Sequence, residues 1–368
     1  MADASDIPLS IKVPTTKTTP RDLPEPLREG GPLASDPQLV ILACLLIIAS
    51  LTVAYVASDI VLPLVMAFVL KLLFQPAMRL LEAFRIPRVA AAFILIVAFF
   101  AGIVAMVAAI AGPAATWAGR LPEGLPRLEQ RLAFLSQPIQ TLQNFLKQID
   151  GGGEGAGLGL STMLFKGTQH FASGFFETLL LLFFLLLSGD TFLRRMVEIL
   201  PKLSDKKQIV ALSQQIEENI SAYLVTISLM NTLVGLATGF AMWATGLGDA
   251  VFWGVVAFTL NFIPIMGPAL GVCLFLFAGM LGLDSFWAAL MPAALYLGIH
   301  LVEGEVVTPM LLARRFTLNP FLVMLSLIFW FWLWGAPGAI LAVPLLAIFK
   351  IVCDGVRPLN SIAHFLEG

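Results

Sequence analysis

The chain has 368 residues, of which 58% are hydrophobic and 12% charged, with 22 Lys+Arg against 24 Asp+Glu. Its mean hydropathy is +0.90. Soluble domains carry about a quarter of their residues as Asp, Glu, Lys or Arg. This composition therefore excludes a soluble enzyme and a disordered chain, and a net charge of −2 lacks the basic surplus of a nucleic-acid binder.

Residues 1–36 are polar and hold six prolines, which predicts a disordered tail on the cytoplasmic side. The first apolar run begins near Gln38 and is too long for the core of a signal peptide. Three spanning helices are predicted within 37–112, at Leu39–Ala57, Ile60–Met78 and Val89–Ala111. Residues 113–170 read as an extracytoplasmic segment of amphipathic helices, with Leu125, Leu128, Leu132 and Leu135 at helical spacing before a glycine-rich linker. Residues 171–219 supply a fourth spanning helix, Phe171–Leu187, and a charged cytoplasmic helix. A helical core fills 220–353, and 354–368 form a short cytoplasmic tail.

Two uncharged runs in that core, Ala250–Leu283 and Phe316–Phe349, are 34 residues each. Straight, each would measure about 51 Å, against a hydrocarbon layer of about 30 Å. Both carry helix breakers near the middle: Asn261, Pro264, Gly267 and Pro268 in one, Gly335, Pro337 and Gly338 in the other. Proline removes an amide donor and clashes with the preceding turn, and glycine loosens the backbone. Each run should bend there, as a re-entrant helical hairpin or a mid-membrane break. Non-helical backbone at that depth is tolerated only inside protein or beside a wet cavity.

The fold class is thus all-α and polytopic, with about six spanning helices plus two hairpins. With the N-terminus cytoplasmic and both runs folded back, most Lys and Arg fall inside, among them Arg79, Arg85, Arg88, Arg194, Arg195, Lys206, Lys207, Arg314 and Arg315. A crossing helix followed by a hairpin then occurs twice, in Ile220–Leu283 and Ser285–Ile351, with opposite orientation. Inverted units of this kind mark many secondary transporters, whose substrate binds near the midplane at discontinuous helices.

Charged residues inside apolar helices are costly and usually functional. Glu303 and Glu305 interrupt one such helix, and Tyr296, His300, Glu303 and Val307 share one of its faces. Burial would let Glu303 hold and release a proton near neutral pH; the competing reading is an ion pair with Lys71 or Arg314. Lys71, deep in its helix, either pairs with a carboxylate or faces an aqueous path. At the bends, Asn261 and carbonyls freed near Pro264 and Pro337 offer ligands for hydroxyls or a cation, against the plainer reading of tight turns. Cys44, Cys273 and Cys353 read as small apolar residues, and His170, His300 and His364 form no ligand cluster, so no metal or cofactor is expected. Gly246-Leu-Gly-Asp249 spells the GxGD of intramembrane proteases without the second aspartate such chemistry needs. No phosphate-binding loop accompanies it, and an enzyme is not expected.

The second half resembles the autoinducer-2 exporter (AI-2E) family of bacterial membrane proteins. The resemblance rests on Asn261-Phe-Ile-Pro-Ile-Met-Gly-Pro268, on His300-Leu-Val-Glu303-Gly-Glu-Val-Val-Thr-Pro309, and on Leu318-Asn-Pro-Phe321 with Gly338-Ala-Ile-Leu-Ala-Val-Pro344. Weaker echoes sit at Gln75-Pro76 and Leu200-Pro201. It implies a multi-pass inner-membrane transporter forming homo-oligomers, with a pentamer suggested, that exports a small polar signal or acts as a sodium or lithium/proton antiporter. Its lipid bilayer, a small polar solute and H+ or Na+ would be its partners. Ile265 stands where an aromatic often follows the motif's proline, and Lys71 occupies a position expected to be uncharged. A membrane scaffold or channel-like oligomer is the alternative from another class.

Overall fold

The computed structural model describes residues 37–131, 172–189, 191–199, 203–308, 310 and 319–355. The N-terminal tail, most of the amphipathic segment, Pro309, Arg314, Arg315 and the C-terminal tail from residue 356 lie outside them. Ten α-helices are described: α1 (Pro37–Val56), α2 (Ser58–Ala83), α3 (Arg88–Arg131), α4 (Ala172–Ser188), α5 (Thr191–Ile199), α6 (Leu203–Ala244), α7 (Ala250–Leu260), α8 (Met266–Gly282), α9 (Phe286–Val302) and α10 (Pro320–Gly355). No strand occurs among the described residues. Segments of α2, α3, α6, α9 and α10 are long and apolar enough to cross a bilayer, so the chain is an all-helical polytopic membrane protein. The chain divides into two units at Ile47. The described part of the first, 37–47, is the opening of α1 and exposes Ile41, Leu42, Leu45 and Leu46. Everything below concerns the second.

That unit is apolar outside and holds polar groups inside. Phe93, Val97, Phe100, Val104 and Val107 are exposed on α3, as are Leu229, Leu233, Leu236 and Phe240 on α6. Ser221, Asn231, Thr238, His300, Ser326 and Lys350 are buried. A soluble monomer rarely leaves such large apolar patches bare; lipid is the solvent that suits them. One helix limit differs from the sequence reading. The third span and the start of the amphipathic segment form a single helix, α3, which passes through Pro113; the Ala114-Ala-Thr-Trp-Ala that follows favours helix enough to carry it on.

The run 250–283 folds back. Its helices α7 and α8 are separated at Asn261–Ile265, and Gly282 at its end lies against Leu247 just before its start and against Trp117 of α3. The Trp117 indole donates to Asp249 at 3.2 Å, so the GxGD aspartate anchors the hairpin's base. The two arms find different partners. α7 lies on α6 through Gly235, Gly239 and Gly254, where a Cβ on Gly239 would stand 2.6 Å from the Ala250 carbonyl. Gly235-Leu-Ala-Thr-Gly239 is a GxxxG spacing, which lets helix backbones approach closely in lipid. α8 lies antiparallel on α9, with Gly279 opposite Ala289 and Gly271 opposite Tyr296.

The run through α10 folds back as well. Gly335 leaves the helix at φ 64°, ψ −145°, a conformation confined essentially to glycine. The Ser326 hydroxyl donates to the Ala342 carbonyl at 2.9 Å; along a continuous helix that separation would be about 24 Å. Leu322 likewise packs with Cys353 and Leu346. At the base Gln208 of α6 donates to the Gly355 carbonyl at 2.8 Å. At the tip the Trp334 indole donates to the Ala54 carbonyl at 3.0 Å, and Trp332 stacks on Tyr55. The first hairpin therefore starts at the C-terminal end of α6 and the second at its N-terminal part.

The turn at the second tip is tight enough to test. A Cβ on Gly338 would stand 2.0 Å from the Trp330 carbonyl. Gly338→Ala should therefore destabilise by about 2 kcal/mol or more. Gly298→Ala on α9 meets nothing within 4 Å and should be neutral or stabilising by up to about 1 kcal/mol. Thermal melting of the two purified variants in one detergent measures the gap; equal melting points would contradict the folded-back α10.

Candidate functional site

The first hairpin's tip is built around Pro264. The Met266 amide donates to the Pro264 carbonyl at 2.6 Å across Ile265, which sits at φ 64°, ψ −54°. This is a γ-turn of the rare positive-φ kind, and a β-branched residue there is strained. Gly267 closes the tip, since a Cβ would fall 1.9 Å from the Leu260 carbonyl. Asn261 ends α7, and its amide donates to Asn231 Oδ1 on α6 at 2.9 Å. Asn231 is 2% exposed, and its own amide nitrogen has no partner among the described residues.

α9 brings a second polar group to this level. Gly279 faces Ala289 and Gly271 faces Tyr296, so one further turn sets His300 level with Gly267. Tyr296 packs between Phe275 and His300, with ring centroids 4.5 and 4.4 Å away. The Tyr296 hydroxyl, His300 Nε2 and the Thr238 hydroxyl are buried without hydrogen-bond partners among the described residues. Leaving such a group unmade costs about 1–3 kcal/mol.

Past His300 the helix widens into a π-helical turn, Glu303–Val307. Widened turns of this kind are frequent at functional sites. The Thr308 amide donates to the Glu303 carbonyl and its hydroxyl to Oε1 at 2.5 Å, while His300 Nδ1 lies 3.8 Å from Oε2. One donor, the Thr308 hydroxyl, thus offsets part of the desolvation of the half-buried carboxylate, with His300 at ion-pair distance. Beside it, between α6 and α9, runs a cavity of about 540 Å³, apolar apart from Glu303.

The remaining predicted residues are placed as follows. Pro264 and Pro268 are half-buried at the first tip, and Glu305 points outward. Lys71 is half-buried on α2, beside Leu72, whose carbonyl accepts from Ser221 of α6. It has no ion pair with Glu303, whose partners are His300 and Thr308; the pairing fails because α2 meets α6 at Ser221, while α9 meets it at Met230–Ala237. Gly335, Pro337 and Gly338 form the other tip. Leu333 and Trp334 before it share a cluster with the arm residues Ala347 and Ile351 and with Ile220 and Leu224 of α6. The sequence reading passed over Asn231 and Thr238, although polar residues in the apolar half of a spanning helix were the signal that could have found them.

Two hairpins entering from opposite ends of one helix, with buried polar side chains at a tip, define the class of a helical membrane transporter. Residues 42–357 match the AI-2E family transporter profile. The chain belongs to that family. The AI-2 transport protein TqsA of Escherichia coli (strain K12) is 28% identical over 340 residues, covering 90% of this chain and 95% of TqsA. YhhT of the same strain is 30% identical over 160 residues, 40% of this chain and 42% of YhhT. YueF of Bacillus subtilis (strain 168) is 29% identical over 170 residues, 46% and 45% of the two chains.

Relieving the turn at Ile265 should stabilise the protein. Ile265→Gly removes a positive-φ penalty and should raise stability by about 1 kcal/mol in spite of glycine's larger unfolded-state entropy. A lower melting temperature than that of the parent protein would contradict the γ-turn.

Proposed function

We propose that this chain is a secondary transporter of the bacterial inner membrane, with both termini cytoplasmic, that exports a small polar signal or metabolite of the autoinducer-2 kind and draws on the proton gradient. The observation that carries the reading is two polar pairs near the first hairpin's tip, Asn231 with Asn261 and His300 with Glu303, in which Asn231 Nδ2 and His300 Nε2 are buried without partners among the described residues. In lipid such groups are retained for a polar solute or ion that completes them. Asn231 and Tyr296 offer donors to hydroxyl or carbonyl oxygens, and Glu303 with His300 offers a proton-binding pair. The name of TqsA supports autoinducer-2 as the solute. Assembly as a homo-oligomer, a pentamer by family resemblance, fits the apolar side chains left bare on α1, α3 and α6.

A second reading has its own support. Glu303 has no Lys or Arg ion-pair partner among the described residues, which suits sodium or lithium in exchange for protons.

Proteoliposomes test both readings together. Autoinducer-2 efflux and pH-dependent Na+ flux are measured side by side on the parent, Glu303→Gln and Asn231→Ala. The expected result is autoinducer-2 flux that falls on the order of tenfold in each variant, the weight of one lost charge-assisted contact, with unchanged assembly by gel filtration. Na+ flux alone would favour the antiporter. Flux of neither solute above that of empty vesicles would leave only the scaffold or channel-like oligomer.

A further inference from the structure

The groove between α6 and α9 exists because side chains are missing from its walls. Gly298 has nothing within 4 Å of where a Cβ would be, and Ala237 and Ala294 are small. The resulting space, about 540 Å³, lies in the size range of small-molecule sites. Leu295 and Val302 on its α9 side are 39% and 57% exposed, so it opens on the protein's apolar flank. One charged group lines it, Glu303, set at its end by the π-helical turn and held at Oε1 by the Thr308 hydroxyl. No Lys or Arg pairs with that carboxylate among the described residues, and its Oε2 has only His300 Nδ1, 3.8 Å away. A carboxylate in apolar surroundings is most favourable with a cation beside it.

We propose that this groove binds amphipathic organic cations, a protonated amine at Glu303 Oε2 with its hydrocarbon body lying along Gly298 toward Leu295. Charge complementarity selects this occupant over a lipid tail, which would gain nothing from the carboxylate. The groove shares Glu303 with the polar solute's place at the hairpin tip, but it is reached from the side of the helix pair rather than along α6. It stands whichever solute the protein carries.

Equilibrium dialysis of the full chain in detergent tests this with three probes of matched size: phenylbutylammonium, phenylbutanol and phenylbutyrate. The ammonium should bind tightest and the carboxylate weakest. Glu303→Gln should weaken the ammonium on the order of tenfold and leave the alcohol unchanged. Gly298→Phe, whose Cβ would meet nothing within 4 Å, should fill part of the groove and weaken both. Gel-filtration profiles and melting temperatures identify variants that fail to fold, and Gly298→Phe keeps the test decisive if Glu303→Gln does. Equal binding of alcohol and ammonium would reduce the groove to an apolar crevice and overturn the proposal, as would ammonium binding that survives Gly298→Phe. Amine binding without solute flux would sink the transport reading alone, and flux without amine binding would sink this one alone.

Discussion

Every peptide group placed in lipid must find its partner within the protein, and the whole arrangement follows from where this chain breaks that pattern. An apolar run too long for one crossing has to leave the helix somewhere, and each break frees amides and carbonyls. Side chains reaching between helices tie the broken segments to their neighbours. Ser326 crosses to Ala342 within the second hairpin, Trp334 to Ala54, and Ser221 of α6 to Leu72 of α2. Interhelical bonds of this kind contribute about 0.6 kcal/mol each on average. Their number matters more than their strength, because each also fixes the depth of a hairpin against a neighbouring helix.

Close backbone approach supplies the other half of the packing. With lipid as apolar as leucine, helices gain little from burying leucines against each other, so small residues at the contact decide which helices pair. Gly235, Gly239 and Gly254 bring α7 onto α6; Gly271 and Gly279 bring α8 onto α9. The two arms of the first hairpin are thereby committed to different neighbours, and the tip between them carries the strain at Ile265. Strain of this order, about 1–3 kcal/mol, persists only where the surroundings over-determine the backbone. Here the surroundings are the Asn231–Asn261 bond on one side and the close pass of Gly267 on the other.

Much of this was legible in the sequence because proline, glycine and charge act locally. The breaks at Asn261–Ile265 and Gly335 sit where the helix breakers cluster, and the 34-residue charge-free lengths forced the fold-back. Less legible were features that depend on which faces meet. The π-helical turn at Glu303 carries no composition signal, and it directs the carboxylate to Thr308 and His300 instead of Lys71. Gly298 reads in sequence as one more helix glycine; only its lack of any neighbour shows it as the floor of a groove. The GxxxG at Gly235–Gly239 was readable and its partner was not, because pairing depends on the fold of the hairpin.

The separation of Lys71 from Glu303 has an electrostatic consequence. Their helices reach α6 at Ser221 and at Met230, nine residues apart and so about 13 Å along its axis. At an effective dielectric near 20 two unit charges at that distance interact by only about 1 kcal/mol. That is far below what moving either charge from water into a protein interior costs, so neither group compensates for the burial of the other. A direct pair would have locked α2 to α9 and neutralised both charges. Held apart, the lysine lies on α2 beside Leu72, a member of the second hairpin's cluster, and the carboxylate stands beside His300. Along α6 the polar Ser221, Asn231 and Thr238 are buried, while Leu229, Leu233, Leu236 and Phe240 stay exposed.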